Sequence, residues 1–136
     1  MPEVATSVLK NEEGKILILK RSYKVSTYKG MWGAVAGYVE DGEVPYETAL
    51  KEIGEEVDIK KEELQLLNRL DPIEFTDLYE GKYFDWIIYP FLFKIEKKDK
   101  VNIDWEHTEY RWVCPSELKN LDMVPRLIEV INKLLK

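Results

Sequence analysis

The segment from Gly37 to Ile59 constrains the fold of this chain more than any other part of the sequence. Pro45 suits the first position of a helix, although the preceding Val44 is a poor N-cap and leaves the start of the helix loosely defined. At about 100° per residue, the apolar residues that follow fall within one arc of a helix. The segment therefore predicts a helix with one buried face, formed by Tyr46, Ala49, Leu50, Ile53 and Val57.

Three glutamates, Glu52, Glu55 and Glu56, occupy a second arc of the same helix. Like charges three and four residues apart weaken a helix slightly, and Gly54 costs it about 1 kcal/mol relative to alanine. Taken alone, this pattern is typical of a solvated acidic face. Clustered carboxylates are also a natural binding site for a hard divalent cation, which in turn serves phosphate chemistry. The spacing alone leaves both interpretations open.

The order of the remaining elements predicts a mixed sheet with helices on both faces, in a single domain that spans residues 1–136. The last helix is indicated by apolar residues at helical spacing between Val124 and Leu135, with Pro125 near its start. A turn is expected around 80–82, and a helical turn over 115–118. The predicted strands cover residues 4–10, 16–19, 32–39, 64–70, 73–78, 83–95 and 110–114.

Composition excludes several classes of protein. A net charge of −6 without a lysine or arginine block argues against binding duplex nucleic acid. With one cysteine and one histidine, neither an intrachain disulfide nor a zinc site of the Cys/His type is expected, so a metal would be bound by oxygen, as Mg²⁺ or Mn²⁺ is. The sequence contains no apolar run of about 18 residues and no signal-like N-terminus, so we expect a cytoplasmic protein without membrane contact.

Residues 37–59 resemble the Nudix box, G-x5-E-x7-R-E-U-x-E-E-x-G-U, in which U is an aliphatic residue. Lys51 stands where the family has arginine and Asp58 where it has glycine. Trp32 upstream and the segment 106–113 downstream are also similar to family segments, so the resemblance covers nearly the whole chain. The positions that match the box are Gly37, Glu43, Glu52, Ile53, Glu55, Glu56 and Ile59.

The resemblance implies a Nudix-like α/β/α sandwich of the α/β (α+β) class, with the acidic helix and the C-terminal helix on opposite faces of the sheet. It also implies a metal-dependent hydrolase. Glu52 and Glu56 would be the core ligands of Mg²⁺ or Mn²⁺, and Glu55 would be either a ligand or the base that activates water. A backbone carbonyl near Ala36 or Gly37 would complete the coordination.

Outside the box, Glu106 and Glu109 compete for the role of an additional base or ligand. Arg21 and Arg111 are predicted phosphate contacts, and His107 is expected to be structural. Several aromatic residues are candidates for stacking against a base: Tyr28, Trp32, Phe75, Tyr79 and Trp86.

The departures from the family pattern have physical consequences. Lys51 can pair with Glu43 or Glu47, but as a point charge it should orient a carboxylate less firmly than the planar fork of arginine. Asp58 is expected to adopt the left-handed conformation at the helix end at some cost, where glycine would do so freely. The sequence 35–37 differs from the usual Pro-Gly-Gly, which leaves the carbonyl ligand undefined.

The predicted function is hydrolysis of a diphosphate bond in a nucleoside triphosphate, a nucleotide sugar or a similar small molecule. Isopentenyl diphosphate isomerase shares the box but uses a cysteine upstream of the acidic helix, whereas Cys114 lies downstream. A non-catalytic nucleotide sensor is the other alternative, although such domains usually lose acids of the box. The sequence is compatible with several substrates and with either a monomer or a homodimer.

Overall fold

A computed structural model describes residues 2–96 and 101–136. It contains one eight-stranded sheet, two α-helices and two short 3₁₀ segments. Within these residues, no helix combines the length and the apolar character needed to cross a membrane. The strands are β1 (Glu3–Lys10), β2 (Ile16–Arg21), β3 (Trp32–Gly33), β4 (Val35–Tyr38), β5 (Leu64–Arg69), β6 (Ile73–Tyr79), β7 (Lys82–Ile95) and β8 (His107–Val113). The helices are α1 (Pro45–Val57) and α2 (Leu127–Leu134). The 3₁₀ segments are Lys61–Glu63 and Pro115–Asn120.

The sheet is mixed and is organised around β1. One edge of β1 pairs with β7 in parallel along its full length. Its other edge pairs with β4 over Val4–Ser7, and it meets β2 only at the hairpin, where Lys10 is opposite Ile16. Because β4 occupies that edge, β2 diverges from β1 and pairs instead with β3 and β8. The 14-residue β7 is long enough to pair with both β5 and β6.

The two helices cover opposite faces of this sheet. In β1, Ala5 and Leu9 point to the core beneath α1, whereas Val8 points to the core beneath α2, as the two-residue period of a strand requires. Helix α1 contributes Ala49, Ile53 and Val57 to the first core. Helix α2 contributes Leu127, Val130, Ile131 and Leu134 to the second. The predicted layered α+β architecture is confirmed.

Three boundaries differ from the sequence-based prediction. The extended segment predicted over 32–39 is divided at Ala34, because its partner changes from β2 to β1. The strand predicted from Tyr110 begins three residues earlier, at His107. The C-terminal helix begins at Leu127 and not near Val124, because Arg126 has a left-handed backbone (φ 71°) that interrupts the helical geometry.

Candidate active site

A cavity of about 490 Å³ lies against the edge of the sheet where β4 and the end of β2 meet the acidic helix. Charged side chains from several elements line it: Arg21, Lys24, Glu40, Glu52 and Glu106. Aromatic and aliphatic side chains line the rest, among them Tyr28, Tyr38, Phe75, Trp86, Ile88, Trp105, Val124 and Leu127. The cavity thus combines ionic groups with a large apolar surface, as ligand sites for molecules with a charged and a ring-like part do.

Glu56 is the most unusual acid of the site because its side chain is almost completely buried, with 2% of the residue exposed. The amide of Ala36 donates a long hydrogen bond of 3.5 Å to Oε1. Within the described residues, no donor meets the buried Oε2 in hydrogen-bonding geometry, and the Glu56 carboxyl interacts instead with the side chain of Glu52, another acid. Burial, together with the charges of Glu106 and Glu52, raises the pKa of Glu56 well above its usual range. A buried carboxylate oxygen without a donor is costly, and a bound cation would offset that cost.

Glu52 lies one helical turn before Glu56 and rests directly on the backbone of Gly37. A Cβ atom at Gly37 would overlap the Cγ and Cδ atoms of Glu52, so only glycine permits this close approach. Burial raises the pKa of Glu52, and the charges of Glu55 and Glu106 act in the same direction. The matched glycine of the box therefore has a steric role, which is to admit this carboxylate.

Glu106 enters the cavity from the loop that precedes β8. Its carbonyl oxygen accepts a 2.7 Å hydrogen bond from the amide of Ser22, which ties this loop to the end of β2. Burial and the charge of Asp104 raise the pKa of Glu106, while Arg21 lowers it. Glu109, the competing acid, pairs with Arg111 at the surface, with 3.3 Å between Oε1 and Nε, and does not line the cavity.

Arg21 is a half-buried cation of the site. Its Nε donates a 2.9 Å hydrogen bond to the carbonyl oxygen of Thr27, which fixes the guanidinium group. The group interacts electrostatically with both Glu106 and Glu56. It is therefore held between the carboxylates and the cavity, where an anionic ligand would meet it.

Four residues predicted for the site do not line the cavity: the buried Glu56, and Trp32, Arg111 and Glu55. Trp32 is 6% exposed and packs in the core beneath α2, and the guanidinium carbon of Arg111 lies 4.8 Å from the centroid of its ring. The two side chains therefore contact each other and not the cavity. Glu55 lies on the exposed side of α1, close enough for its charge to act on Glu52 and Glu106.

Of the predicted stacking residues, Tyr28, Phe75 and Trp86 line the cavity, and Tyr79 packs against Tyr28 with 4.8 Å between ring centroids. The indole Nε1 of Trp86 donates to the hydroxyl of Tyr28, which in turn donates to Asp77. These aromatic side chains form a wall whose polar atoms are already paired.

His107 is buried beside the acids, between Asp104 and Glu56. Its Nδ1 lies 3.1 Å from Oδ1 of Asp104, and its Nε2 lies 3.7 Å from Oε1 of Glu56. Burial lowers its pKa. A packed position agrees with the structural role expected for this residue, but its proximity to Glu56 was not predicted.

The two departures from the box adopt the geometry that their chemistry predicts. Lys51 Nζ lies 2.7 Å from Oε2 of Glu43. Asp58 ends α1 in the left-handed conformation (φ 58°, ψ 43°), and its amide donates to the carbonyl of Gly54. The acidic helix therefore keeps its position without the family arginine and glycine.

Sequence reasoning missed Lys24, Tyr38 and Trp105, all of which line the cavity. Tyr38 directly follows Gly37, and Trp105 directly precedes Glu106. Adjacency to predicted site residues was the available signal. It was insufficient because the path of the loops determines which neighbour faces the cavity.

The donor set fits an oxygen-liganded divalent cation. Within residues 2–96 and 101–136, no three His, Cys, Asp or Glu side chains are arranged as a preformed metal site. However, Glu56 has a carboxylate oxygen without a partner, and Gly37 holds Glu52 beside it. Neighbouring carboxylates repel one another when they are ionised, and a bound cation relieves this repulsion. Carboxylate oxygens are also the hard ligands that Mg²⁺ and Mn²⁺ prefer.

Comparison with known proteins assigns the family. A family model described as the NUDIX domain matches residues 1–134. The nucleoside triphosphatase NudI of Escherichia coli is 30% identical over 118 residues, which cover 82% of this chain and 81% of that protein. Among solved structures, an Ap4A hydrolase of C. elegans superimposes with a TM-score of 0.80 at 22% identity, covering 98% of this chain and 94% of the other.

The dihydroneopterin triphosphate pyrophosphohydrolase of E. coli superimposes with a TM-score of 0.81 at 21% identity, again covering 98% and 94% of the two chains. At such identities the structural likeness concerns the fold alone. The family model nevertheless spans nearly the entire chain, and the NudI relative aligns over most of it. The chain belongs to the Nudix family and is a Nudix hydrolase.

Proposed function

We propose that this protein is a divalent-metal-dependent pyrophosphohydrolase that cleaves a diphosphate bond in a nucleotide substrate by attack of water on phosphorus. The observation that carries the proposal is the buried Glu56, whose Oε2 has no partner among the described residues, next to Glu52 at the cavity. A carboxylate in this state is stabilised most effectively by a cation that binds Glu52 as well.

Glu52 and Glu56 would hold Mg²⁺ or Mn²⁺, with Glu55 and a backbone carbonyl of Ala36 or Gly37 as further ligands. When bound, such an ion neutralises charge that develops on phosphate oxygens and lowers the pKa of a coordinated water. Gly37 contributes by admitting the side chain of Glu52 to its position. The ligands thus come from both the helix and the adjacent strand β4.

Arg21 would bind and orient the phosphates, because Thr27 holds its guanidinium group at the cavity. Glu106 would accept the proton of the attacking water, since it lines the same cavity and faces Arg21. Glu55 is the other acid available for this step, although its side chain lies on the exposed side of α1. Trp32 and Arg111 are left out of the proposal as substrate contacts, because a substrate contact has to line the cavity and neither side chain does.

The wall formed by Tyr28, Phe75 and Trp86 would line one side of the space that holds the nucleoside. The hydroxyl of Tyr28 and the indole N–H of Trp86 already form hydrogen bonds within the protein. The wall would therefore contact a substrate mainly through van der Waals and ring-stacking interactions. Because NudI, a relative of this chain, is a nucleoside triphosphatase, nucleoside triphosphates are the first substrates to test. Nucleotide sugars and dinucleoside polyphosphates follow.

The test is a panel of these three substrate classes, assayed with Mg²⁺ and with Mn²⁺ for release of phosphate, pyrophosphate and nucleoside monophosphate. We expect metal-dependent turnover by the wild type. Glu56→Gln should lower kcat by about 100-fold or more, since removal of a metal ligand sacrifices several kcal/mol of transition-state stabilisation. Glu47→Gln, which changes an exposed acid on the same helix, is the matched control and should retain full activity.

Unchanged turnover by Glu56→Gln would rule out the proposed metal site. The alternative, a nucleotide-binding sensor, predicts a different result. In that case the wild type would bind nucleotides with measurable affinity and release no product with any member of the panel.

A further inference from the structure

Trp105 is a large aromatic side chain that lines the cavity and is nevertheless 61% exposed. Tyr38, the other exposed aromatic residue of the lining, stacks on Trp86 with 6.4 Å between ring centroids. Across residues 2–96 and 101–136, by contrast, no ring contact or hydrogen bond involves the Trp105 side chain. Exposed apolar surface at the edge of a cavity is typical of a binding site.

The backbone that carries Trp105 is firmly held, so the exposure of the ring does not result from a loose loop. Oδ1 of Asp104 accepts a 3.1 Å hydrogen bond from the amide of Glu106, and the amide of His107 donates to the carbonyl of Asp104. The Ser22 amide ties the same loop to β2. The backbone that carries the indole is therefore ordered before a ligand binds. This order lowers the entropy cost of binding.

The neighbours of Trp105 indicate which part of a ligand it meets. The next residue, Glu106, lines the cavity, and the two cations of the lining, Arg21 and Lys24, face the same space. A phosphate group near these cations would leave the remainder of the ligand within reach of the indole. A ring attached to a phosphate chain, as in a nucleotide, satisfies both contacts.

We propose that Trp105 is a substrate-binding residue on whose indole the base of the nucleotide stacks at the mouth of the cavity. This inference rests on the proposed function, because it concerns the substrate of the same site. Stacking on an aromatic side chain accepts any base, since every base has a π face. Trp105 should therefore contribute affinity for nucleotides in general and little discrimination among bases.

The kinetic test compares Trp105→Ala and Trp105→Phe with the wild type on the four nucleoside triphosphates and on inorganic tripolyphosphate, which has no base. Trp105→Ala should raise KM for all four nucleotides by about 10-fold. Trp105→Phe should restore most of that loss. KM for tripolyphosphate should remain unchanged in both variants, because this molecule offers no ring.

Trp112→Phe is the matched control, since this tryptophan packs against the core beneath α1 and does not line the cavity. Circular dichroism and thermal unfolding should show that Trp105→Ala folds normally, as expected for an exposed side chain. An unchanged nucleotide KM in a folded Trp105→Ala protein would overturn the inference. So would an equal loss for tripolyphosphate.

A second measurement separates the inference from the proposed function. Indole fluorescence is followed while α,β-methylene-ADP, which resists hydrolysis between its phosphates, is added with Mg²⁺. We expect quenching in the wild type and in Trp112→Phe, with most of its amplitude lost in Trp105→Phe. Quenching that depends on Trp105 in a protein without turnover would refute the hydrolase function alone. Turnover combined with quenching that is independent of Trp105 would refute the stacking role alone.

Discussion

Glu43 and Glu56 belong to the same acidic segment, yet their carboxylates occupy opposite environments. Glu43 Oε2 binds Lys51 Nζ at 2.7 Å, and its Oε1 accepts hydrogen bonds from the Glu40 amide and the Thr48 hydroxyl. These partners lower the pKa of Glu43 to about 2. Glu56 is buried near other acids with one oxygen unpaired, and its pKa is raised.

The difference separates an acid with a structural role from the acid that we propose as a metal ligand. The carboxylate of Glu43 is satisfied by the protein itself and holds the turn before α1 in place. The carboxylate of Glu56 is left unsatisfied by the described residues, which is tolerated where a ligand supplies the missing interaction. Both glutamates match the box, so the sequence pattern alone does not distinguish their roles.

The largest effect should come from Gly37→Ala, which disturbs the functional end of the segment. The new Cβ would displace the Glu52 side chain from its place on β4. Displacement of a catalytic group by about 1 Å costs roughly 100-fold in rate, so kcat/KM should fall by about that factor. Steady-state kinetics at saturating Mg²⁺ measures the loss. Activity within twofold of the wild type would show that the placement of Glu52 is unimportant.

A smaller effect of opposite sign is expected from Gly54→Ala, which strengthens the helix between the two acids. Its new Cβ would lie 3.9 Å from the carbonyl oxygen of Ile59, an ordinary contact. The free energy of unfolding should rise by about 0.5–1 kcal/mol, because alanine favours a helix over glycine by that amount. Urea denaturation measures it, and kcat/KM should be unchanged. A loss of stability would mean that this position is more crowded than the structure indicates.

The smallest effect concerns the structural end, through Glu43→Gln. Since the pKa of Glu43 is lowered to about 2 in the folded state, its ionised form contributes stability above its ordinary pKa of 4.5. That contribution is lost as the pH falls from 4.5 through 2. The exposed position makes it modest. Thermal unfolding of the wild type and the variant between pH 2 and 7 should show curves that converge at low pH. A constant difference across this range would contradict the assigned role.

The features of the structure that follow from the sequence are those determined by local geometry. Helical spacing places Glu52 and Glu56 on one side of α1, and the turn chemistry of Asp58 follows from its position at the helix end. The two-faced sheet follows from the order of the elements and their apolar patterns. These features depend on residues that are close together along the chain.

The features that the sequence does not predict depend on long-range packing. The partner change at Ala34 turns Trp32 into the core, while the loop anchored by Ser22 brings Trp105 to the cavity. Arg111 does not line the cavity, and its guanidinium group lies over the ring of Trp32. No local pattern reports such pairings, so one tryptophan was assigned to the site and the other was overlooked.

The most direct test of the account is the effect of Mg²⁺ and Mn²⁺ on the thermal unfolding of the wild type, Glu56→Gln and Glu43→Gln. A ligand at about 100 times its Kd stabilises a folded protein by about 2.7 kcal/mol, so the Tm of the wild type should rise by several degrees. Glu43→Gln should respond in the same way, and Glu56→Gln should lose most of the shift. An equal shift in all three proteins would contradict the claim that the unpaired carboxylate of Glu56 binds the metal.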